Sequence, residues 1–190
     1  LATGVVMLPL TVLSTAATSC DEPDRVGAVV RATMPFTPSD ETRETRLVMS
    51  IDFRTEVSLD ATGRLTRLTD ADRKELDRVG RNLTERTCDG AGTCWRIGDA
   101  EERTVDVSHD DGRTWDTEYQ ADGDEVEAEL PAPGPVCPTQ SGSLRGLGVL
   151  THAGVSWVVV GAGAAGLLLR SPDGDWRLVT MSELQEVPRP

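Results

Sequence analysis

Hydrophobic and polar residues alternate with a period of two along residues 47–59. Because successive side chains of a strand point to opposite faces, this alternation predicts one continuous strand with one face buried. Turn-forming residues 60–63 follow it, and residues 64–68 are predicted to return as its partner strand. The predicted buried face holds Leu47, Met49, Ile51, Phe53, Thr55, Val57 and Leu59, and the opposite face holds Val48, Ser50, Asp52, Arg54, Glu56 and Ser58.

The spacing of apolar residues becomes helical after this hairpin. Thr69 and Asp70 are typical of a helix start, and charged residues fill most positions from 72 to 78. A sparse apolar stripe on an otherwise charged segment predicts one solvated helix that runs to about residue 83. The stripe consists of Leu68, Leu76, Val79 and Leu83.

Short strand-like segments then occur in two groups. The groups are separated by residues 121–143, which are acidic and then rich in proline and glycine, and which are predicted to form a long connection. The predicted antiparallel strands lie at residues 95–97, 104–108 and 115–119 in the first group, and at residues 147–151, 155–160, 167–170 and 176–180 in the second. The pattern therefore predicts a mainly β chain built from meanders.

The loop between the last two strands of the first group is Ser108-His109-Asp110-Asp111-Gly112-Arg113-Thr114-Trp115. It resembles the Asp-box, S-x-D-x-G-x-T-W, at every fixed position: Ser108, Asp110, Gly112, Thr114 and Trp115. The resemblance implies the hairpin between the outer two strands of a β-propeller blade, as in sialidases and sortilin-type receptors, where the box is structural and lies away from the active site. Asp110 is expected to accept hydrogen bonds from backbone N–H groups, and Gly112 to take a left-handed conformation.

A shortened form of the same motif occurs in the second group. It keeps the serine, aspartate, glycine and tryptophan but lacks the threonine, at Ser171, Asp173, Gly174 and Trp176. Weak repetition of this kind is typical of propellers. The expected fold is mainly β, with propeller-like antiparallel β-meanders (a partial or irregular β-propeller) and one α-helix. A single domain at residues 46–190 would contain the Asp-box units at 92–120 and 146–181.

The cysteines indicate an oxidising compartment. Cys20, Cys88, Cys94 and Cys137 form no C-x-x-C pair, and the chain has only two histidines, whereas zinc sites usually draw on closer ligand pairs. The glycine-rich loop 89–93 allows Cys88 to reach Cys94, so a disulfide between them is predicted. Cys137 is a rival partner for either cysteine.

The N-terminal segment, residues 1–20, is typical of an export signal. Its first 19 residues carry no charge, and a short apolar core is followed by small residues. Residues 17–20, Ala-Thr-Ser-Cys, resemble a bacterial lipobox, and the resemblance implies a lipid on Cys20, although Ala17 stands where the lipobox usually has leucine. A cleaved signal without lipid and a retained membrane span are the alternatives. All three place the rest of the chain outside the cell, after a Pro-, Thr- and Asp-rich tether at residues 21–45 with a short strand at 26–31.

Charge limits the choice of partner. The net charge is −13, with 32 acidic and 19 basic residues, and this argues against nucleic acid or an anionic membrane surface, which both need a basic footprint. Contact with the membrane is therefore expected through the N-terminal lipid or signal anchor. The other partner is expected to be a protein or a glycan at the cell envelope.

Residues 161–166, Gly-Ala-Gly-Ala-Ala-Gly, match G-x-G-x-x-G after an apolar strand and resemble the dinucleotide fingerprint of flavin and nicotinamide enzymes. That fingerprint requires a helix after the last glycine, because the helix N-terminus binds the pyrophosphate. Pro172 and Gly174 end the next segment after about one helical turn. A hairpin loop that binds no nucleotide is predicted, and no cofactor is expected.

Catalytic chemistry has little support in the sequence. A sialidase-like site needs a tyrosine backed by a glutamate, yet strict alternation places Glu118 on the opposite face of its strand from Tyr119, the only tyrosine. His109 and His152 lack metal-ligand spacing, so neither a catalytic nor a metal site is predicted. The expected function is an exported, envelope-tethered, non-catalytic binding or scaffolding protein. The alternative is a glycan-active, sialidase-like hydrolase or a carbohydrate-binding module.

Overall fold

Three four-stranded antiparallel sheets make up the fold, and each is a meander in which consecutive strands of the chain are neighbours. The computed structural model describes residues 35–36, 45–51, 56–79, 84–98, 103–121, 144–163 and 165–188. Twelve strands and two helices lie in these ranges. The prediction of a mainly β chain of antiparallel strands is confirmed, whereas one of the two helices was not predicted.

Sheet 1 contains β1 (Pro35–Phe36), β2 (Arg46–Ser50), β3 (Glu56–Leu59) and β4 (Leu65–Arg67). The prediction of one continuous strand over residues 47–59 is wrong, because β2 and β3 pair antiparallel, with Leu47 opposite Leu59 and Met49 opposite Val57. Directly opposed residues of such a pair share a face, so the alternation continues through the chain reversal and does not reveal it. Strand β1 pairs with β2 and lies inside the segment interpreted as a tether.

The second face of sheet 1 is covered as well. Helix α1 (Asp70–Val79) lies on it, and Val48 packs with Leu68 and Leu76 in a small core between helix and sheet. The polar residues that alternation assigns to a solvated face are therefore buried: Ser50, Glu56 and Ser58.

Thr69 and Asp72 cap the start of α1 through reciprocal hydrogen bonds. The Thr69 hydroxyl oxygen accepts a hydrogen bond from the Asp72 N–H at 3.1 Å, and the Asp72 carboxylate accepts from the Thr69 N–H at 3.3 Å. Two backbone donors that the helix itself leaves unpaired are satisfied in this way. The predicted continuation of the helix to residue 83 lies outside the described residues.

Sheet 2 contains β5 (Arg86–Cys88), β6 (Cys94–Ile97), β7 (Thr104–Ser108) and β8 (Asp116–Gln120). The last three strands match their predicted positions within one residue, but β5 was not predicted, because its sequence, Arg-Thr-Cys, shows no alternation of apolar and polar residues. Cys88 and Cys94 lie opposite each other in the β5–β6 pair and form the predicted disulfide. Cys20 and Cys137 lie outside the described residues.

Removal of this disulfide is expected to lower the free energy of unfolding by about 2 kcal/mol, because the bond restricts the unfolded chain by closing a short loop. Cys88→Ser with Cys94→Ala suits one exposed and one buried position. Urea unfolding of the double variant and the parent measures the difference, and the two proteins are expected to converge under a reducing agent. Equal midpoints under oxidising conditions would show that the bond adds no stability.

Sheet 3 contains β9 (Arg145–His152), β10 (Val155–Gly161), β11 (Gly166–Arg170) and β12 (Trp176–Thr180), close to the four predicted positions. Helix α2 (Met181–Glu186) follows β12 directly and was not predicted. It begins with a capping box: the Thr180 hydroxyl oxygen accepts from the Glu183 N–H at 3.2 Å, and the Glu183 carboxylate accepts from the Thr180 N–H at 2.8 Å. A threonine followed three residues later by glutamate is the sequence signal that was missed.

Sheet 3 is the middle layer of a three-sheet stack, because one of its faces packs on sheet 1 and the other on sheet 2. Burial on both faces explains why β10 and β11 have continuous apolar runs where half-buried strands would alternate. The core between sheets 1 and 3 includes Leu47, Met49, Val57, Leu150, Val159, Leu167 and, from α2, Leu184. The core between sheets 2 and 3 includes Trp95, Val105, Val107, Leu147, Val158, Val160 and Leu168.

Candidate functional site

The loop from Ser108 to Trp115 joins β7 to β8 and is closed by the side chains of Ser108 and Asp110. One Asp110 carboxylate oxygen accepts hydrogen bonds from the Arg113 and Thr114 N–H groups at 2.9 and 2.8 Å. The other accepts from the Thr114 hydroxyl at 2.8 Å. The Ser108 hydroxyl donates to Asp110 and accepts from the Gly112 N–H, each at 2.8 Å, and Gly112 has a φ of 81°. Both carboxylate oxygens of Asp110 are thus engaged in holding the loop.

These hydrogen bonds favour the charged form of Asp110. The bond from the Thr114 N–H, followed by those from the Ser108 and Thr114 hydroxyls, holds the pKa of Asp110 well below the ordinary value for aspartate. A pKa that is lower in the folded chain means that the stabilisation is complete above the ordinary aspartate pKa, about 3.9, and is lost as the pH falls through the folded value.

Asp110→Asn is expected to lower the melting temperature at neutral pH, because a neutral amide oxygen is a weaker acceptor than a carboxylate. The difference from the parent is expected to shrink between about pH 4 and pH 2, where Asp110 takes up a proton in the unfolded chain while it stays ionised in the folded one. Thermal unfolding across this range measures it. The control is Asp111→Asn, because Asp111 is exposed and has a φ of 60°, which asparagine tolerates. A difference of constant size at all pH values would contradict the assigned role of the charge.

Corresponding turns join the third and fourth strands of the other two sheets. In sheet 3, the Ser171 hydroxyl accepts from the Asp175 N–H at 3.3 Å, four residues on, as Ser108 does from Gly112. Asp173 is exposed, and the backbone of Ser171 pairs with Asp175 to close the turn. Gly174 has a φ of 94°. Trp176 packs on Tyr119 of sheet 2 with ring centroids 5.1 Å apart, whereas Trp115 contacts side chains of its own sheet.

The corresponding turn of sheet 1 runs from Asp60 to Arg64, and it was predicted only as an ordinary turn. The Asp60 carboxylate accepts from the Thr62 and Arg64 N–H groups at 2.9 and 3.0 Å. Burial acts to raise the pKa of Asp60, but the hydrogen bonds from Thr62 and Arg64 outweigh it and hold the pKa below its ordinary value. A hydrogen-bonding side chain followed three residues later by glycine is the shared signal with the Ser171 turn.

The face of sheet 2 that points away from sheet 3 carries a polar row across all four strands. Arg86 lies opposite Arg96, Arg96 opposite Asp106, and Asp106 opposite Thr117. The Arg96 guanidinium and the Asp106 carboxylate form an ion pair at 2.9 Å, and the Thr117 hydroxyl donates to Asp106 at 3.2 Å. With the Trp115 side chain, these four residues form what is called here the outward face of sheet 2.

Trp115 lies against both arginines of this face. Its ring centroid is 5.2 Å from the Arg86 guanidinium carbon and 4.4 Å from that of Arg96, which is within the range of cation–π contact. The indole N–H donates to the Gly112 carbonyl at 3.1 Å, and Arg86 donates to the Asp111 carbonyl at 3.2 Å. The Ser108–Trp115 loop therefore positions both guanidinium groups.

The expectation that Glu118 and Tyr119 point to opposite faces is wrong. A β-bulge interrupts β8: the register passes from Val105 opposite Tyr119 to Asp106 opposite Thr117, which leaves Glu118 as the extra residue. A bulge breaks strict alternation and re-aims side chains. As a result, both residues meet sheet 3, Tyr119 through its contact with Trp176 and Glu118 through an ion pair.

Glu118 is the centre of a hydrogen-bonded group between sheets 2 and 3. One carboxylate oxygen binds the Arg170 guanidinium at 2.7 and 2.8 Å, and the other accepts from the Trp95 indole N–H at 3.0 Å. Arg170 also lies over the Trp95 ring at 5.5 Å. Both oxygens are engaged, so the carboxylate joins the two sheets and is not presented to Tyr119 as a proton acceptor would be.

The glycine run at residues 161–166 lies in the connection between β10 and β11. These strands are antiparallel, with Val158 opposite Arg170 and Val160 opposite Leu168. The residues after Gly166 form strand β11, where a dinucleotide fingerprint would require a helix. The hairpin that the sequence predicted is therefore observed.

Other predicted features are easily placed. His109 and His152 are exposed, and no three His, Cys, Asp or Glu side chains within the described ranges come together as a metal site. Neither α1 nor α2, the helices of the described part of the chain, has the length and apolar composition of a membrane span. The signal segment and the long connection at 121–143 lie outside the residues that the structure describes, except for Ala121.

Comparison with known proteins finds no relative: no family model matches the chain, and no curated protein or solved structure is significantly similar to it.

Proposed function

We propose that this chain is an exported, envelope-tethered binding or scaffolding module without catalytic activity, built as a partial or irregular β-propeller. Two observations support the propeller-like architecture. Each of the three sheets is a four-stranded meander, as propeller blades are, and each has a side-chain-closed turn between its third and fourth strands. The sheets also stack face to face. Closure into a ring is not seen among the described strands.

The proposed binding function rests on the outward face of sheet 2, which is exposed. Sheet 3 is covered on both sides and sheet 1 is covered by sheet 3 and α1, whereas no described element covers this face. Arg86 and Thr117 are exposed, and the Arg96 side chain is 42 % exposed. A fixed group of charged and aromatic side chains on an uncovered sheet is typical of an interaction surface.

The alternative, a sialidase-like hydrolase, has less support. The bulge in β8 does bring Glu118 and Tyr119 to the same side, which was not expected. However, Arg170 and Trp95 engage both oxygens of the carboxylate. A proton acceptor for a tyrosine nucleophile needs a carboxylate oxygen within hydrogen-bond reach of the hydroxyl. Glu118 therefore has a structural role in this proposal.

The proposal includes a lipid on Cys20, which would hold the folded sheets at the outer side of the membrane. Support comes from the uncharged segment 1–19 and the small residues before the cysteine. The full chain is to be expressed in a Gram-positive host and the cell fractions analysed by intact-mass spectrometry. We expect a membrane-bound form that begins at Cys20 and carries lipid, and Cys20→Ala is expected to abolish the modification. An unmodified Cys20 would refute this part of the proposal.

Binding and catalysis are separated by one further experiment. The full chain is mixed with isolated bacterial envelopes, and both the bound protein and the reducing ends released into solution are measured over time. Saturable binding without release of reducing ends is the expected result. Release of reducing ends would favour the hydrolase, and binding no greater than that of the heat-denatured chain would refute the binding function.

A further inference from the structure

Two arginines lie directly opposite each other on the outward face of sheet 2, and this pairing is unfavourable by itself. Arg86 and Arg96 are cross-strand partners in the β5–β6 pair, and like charges in that position destabilise a sheet. Asp106 compensates Arg96 with an ion pair at 2.9 Å. Within the described residues, the contacts of Arg86 are the Asp111 carbonyl and the Trp115 ring, neither of which carries a charge. The face therefore has one uncompensated positive charge.

The two guanidinium groups are also held in place before any partner arrives. Trp115 contacts both, and its indole N–H is bonded to the Gly112 carbonyl of its own loop. A planar guanidinium that is already oriented loses less conformational entropy when it binds a carboxylate. A fixed, uncompensated and solvent-exposed arginine is thus suited to bind an anion.

We propose that the outward face of sheet 2 binds a carboxylate-bearing glycan, with Arg86 as the group that anchors its carboxylate. This inference rests on the proposed binding function and names its ligand class. Thr117 ends the row beyond the arginines and is exposed, and its hydroxyl oxygen, which donates its proton to the buried Asp106, is suited to accept a hydrogen bond from a sugar hydroxyl. One anchoring cation in the same row as an exposed hydroxyl acceptor matches a glycan that carries both carboxylates and hydroxyls.

Charge density distinguishes such a glycan from other anions. The exposed Asp111 belongs to the loop beside Arg86, and the net charge of the chain is −13. A polyphosphate or a polyglutamate segment would bring closely spaced negative charges against these acidic groups and be repelled. A glycan with one carboxylate per sugar places a charge at Arg86 and uncharged hydroxyls beside Asp111 and Thr117.

The test measures binding of a galacturonic acid trisaccharide to the full chain by isothermal titration calorimetry at low salt. The Arg86→Gln variant is expected to bind at least about tenfold more weakly, the loss of roughly one charged hydrogen-bonded contact. The matched control is Arg177→Gln, which removes the same charge from an exposed position on β12 and is expected to bind like the parent. Arg86→Lys keeps the charge without the planar fork and is expected to fall between parent and Arg86→Gln.

Three outcomes would overturn the inference: no binding of the trisaccharide, equal binding by the parent and Arg86→Gln, or equal or tighter binding of a neutral galactose trisaccharide, a hexaglutamate peptide or a polyphosphate. Melting temperatures show whether each variant is folded, and Arg86→Lys decides the question if Arg86→Gln does not fold. Saturable envelope binding that is unaffected by Arg86→Gln and by the trisaccharide would preserve the proposed binding function while refuting the glycan site.

Discussion

Gly166→Ala is expected to lower the free energy of unfolding by about 3–5 kcal/mol, the largest effect of any single substitution considered. Gly166 begins β11 with a φ of 131°, which residues with a side chain rarely adopt. A Cβ at this position would lie 2.1 Å from the Val179 carbonyl oxygen of β12, and the backbone of a paired strand cannot move aside as a flexible side chain can. The backbone strain at residue 166 and the steric clash of its Cβ with the Val179 carbonyl oxygen both lower the free energy of unfolding.

Gly154→Ala is the matched control for this substitution. Gly154 lies in the turn between β9 and β10 with a φ of 80°, but nothing lies within 4 Å of the Cβ position. It is expected to lose about 1–2 kcal/mol from the left-handed backbone alone. Urea unfolding of both variants measures the two losses, and equal losses would contradict the role of the collision. A large loss at Gly166 assigns this glycine of the G-x-G-x-x-G run to strand pairing.

Arg170→Met is expected to lower the free energy of unfolding by about 3 kcal/mol, because it leaves the Glu118 carboxylate between sheets 2 and 3 without its cation. The side chains of Arg170 and Glu118 are 15 % and 19 % exposed, so the estimate lies at the low end of the range for a fully buried pair. Methionine keeps much of the apolar volume of the arginine stem. The expected loss therefore arises mainly from the unpaired charge.

A second substitution distinguishes the stability lost through the unpaired charge from the stability lost through altered packing. Glu118→Gln combined with Arg170→Met removes the unpaired charge while keeping an acceptor for the Trp95 indole N–H, and it is expected to recover part of the lost stability. Arg177→Met, at an exposed position on the next strand, is expected to stay within about 0.5 kcal/mol of the parent. If the double variant is no more stable than Arg170→Met in urea unfolding, the ion pair does not join the sheets as inferred.

The sequence by itself determined the features that depend on neighbouring residues. Most strands of sheets 2 and 3, the start of α1, the Cys88–Cys94 disulfide and the hairpin at residues 161–166 all follow from local alternation, turn chemistry and short cysteine spacing. The capping box at Thr180 and Glu183 belongs to the same class, although it was overlooked. In each case, the hydrogen bonds or the bond that define the feature lie within one helix turn, one short loop or one hairpin of consecutive strands.

Only the tertiary structure decided which elements meet. Alternation does not report what covers a face, so it could not separate a strand at 47–59 from the β2–β3 hairpin or foresee that Ser58 is buried. The bulge at Glu118 depends on the register with β7, and the position of sheet 3 between the other two depends on packing between distant residues. The facing of Arg86 and Arg96 likewise requires the register of β5, a strand whose sequence shows no apolar alternation. Register and packing are set by contacts between residues far apart in the chain, and a local pattern contains no record of them.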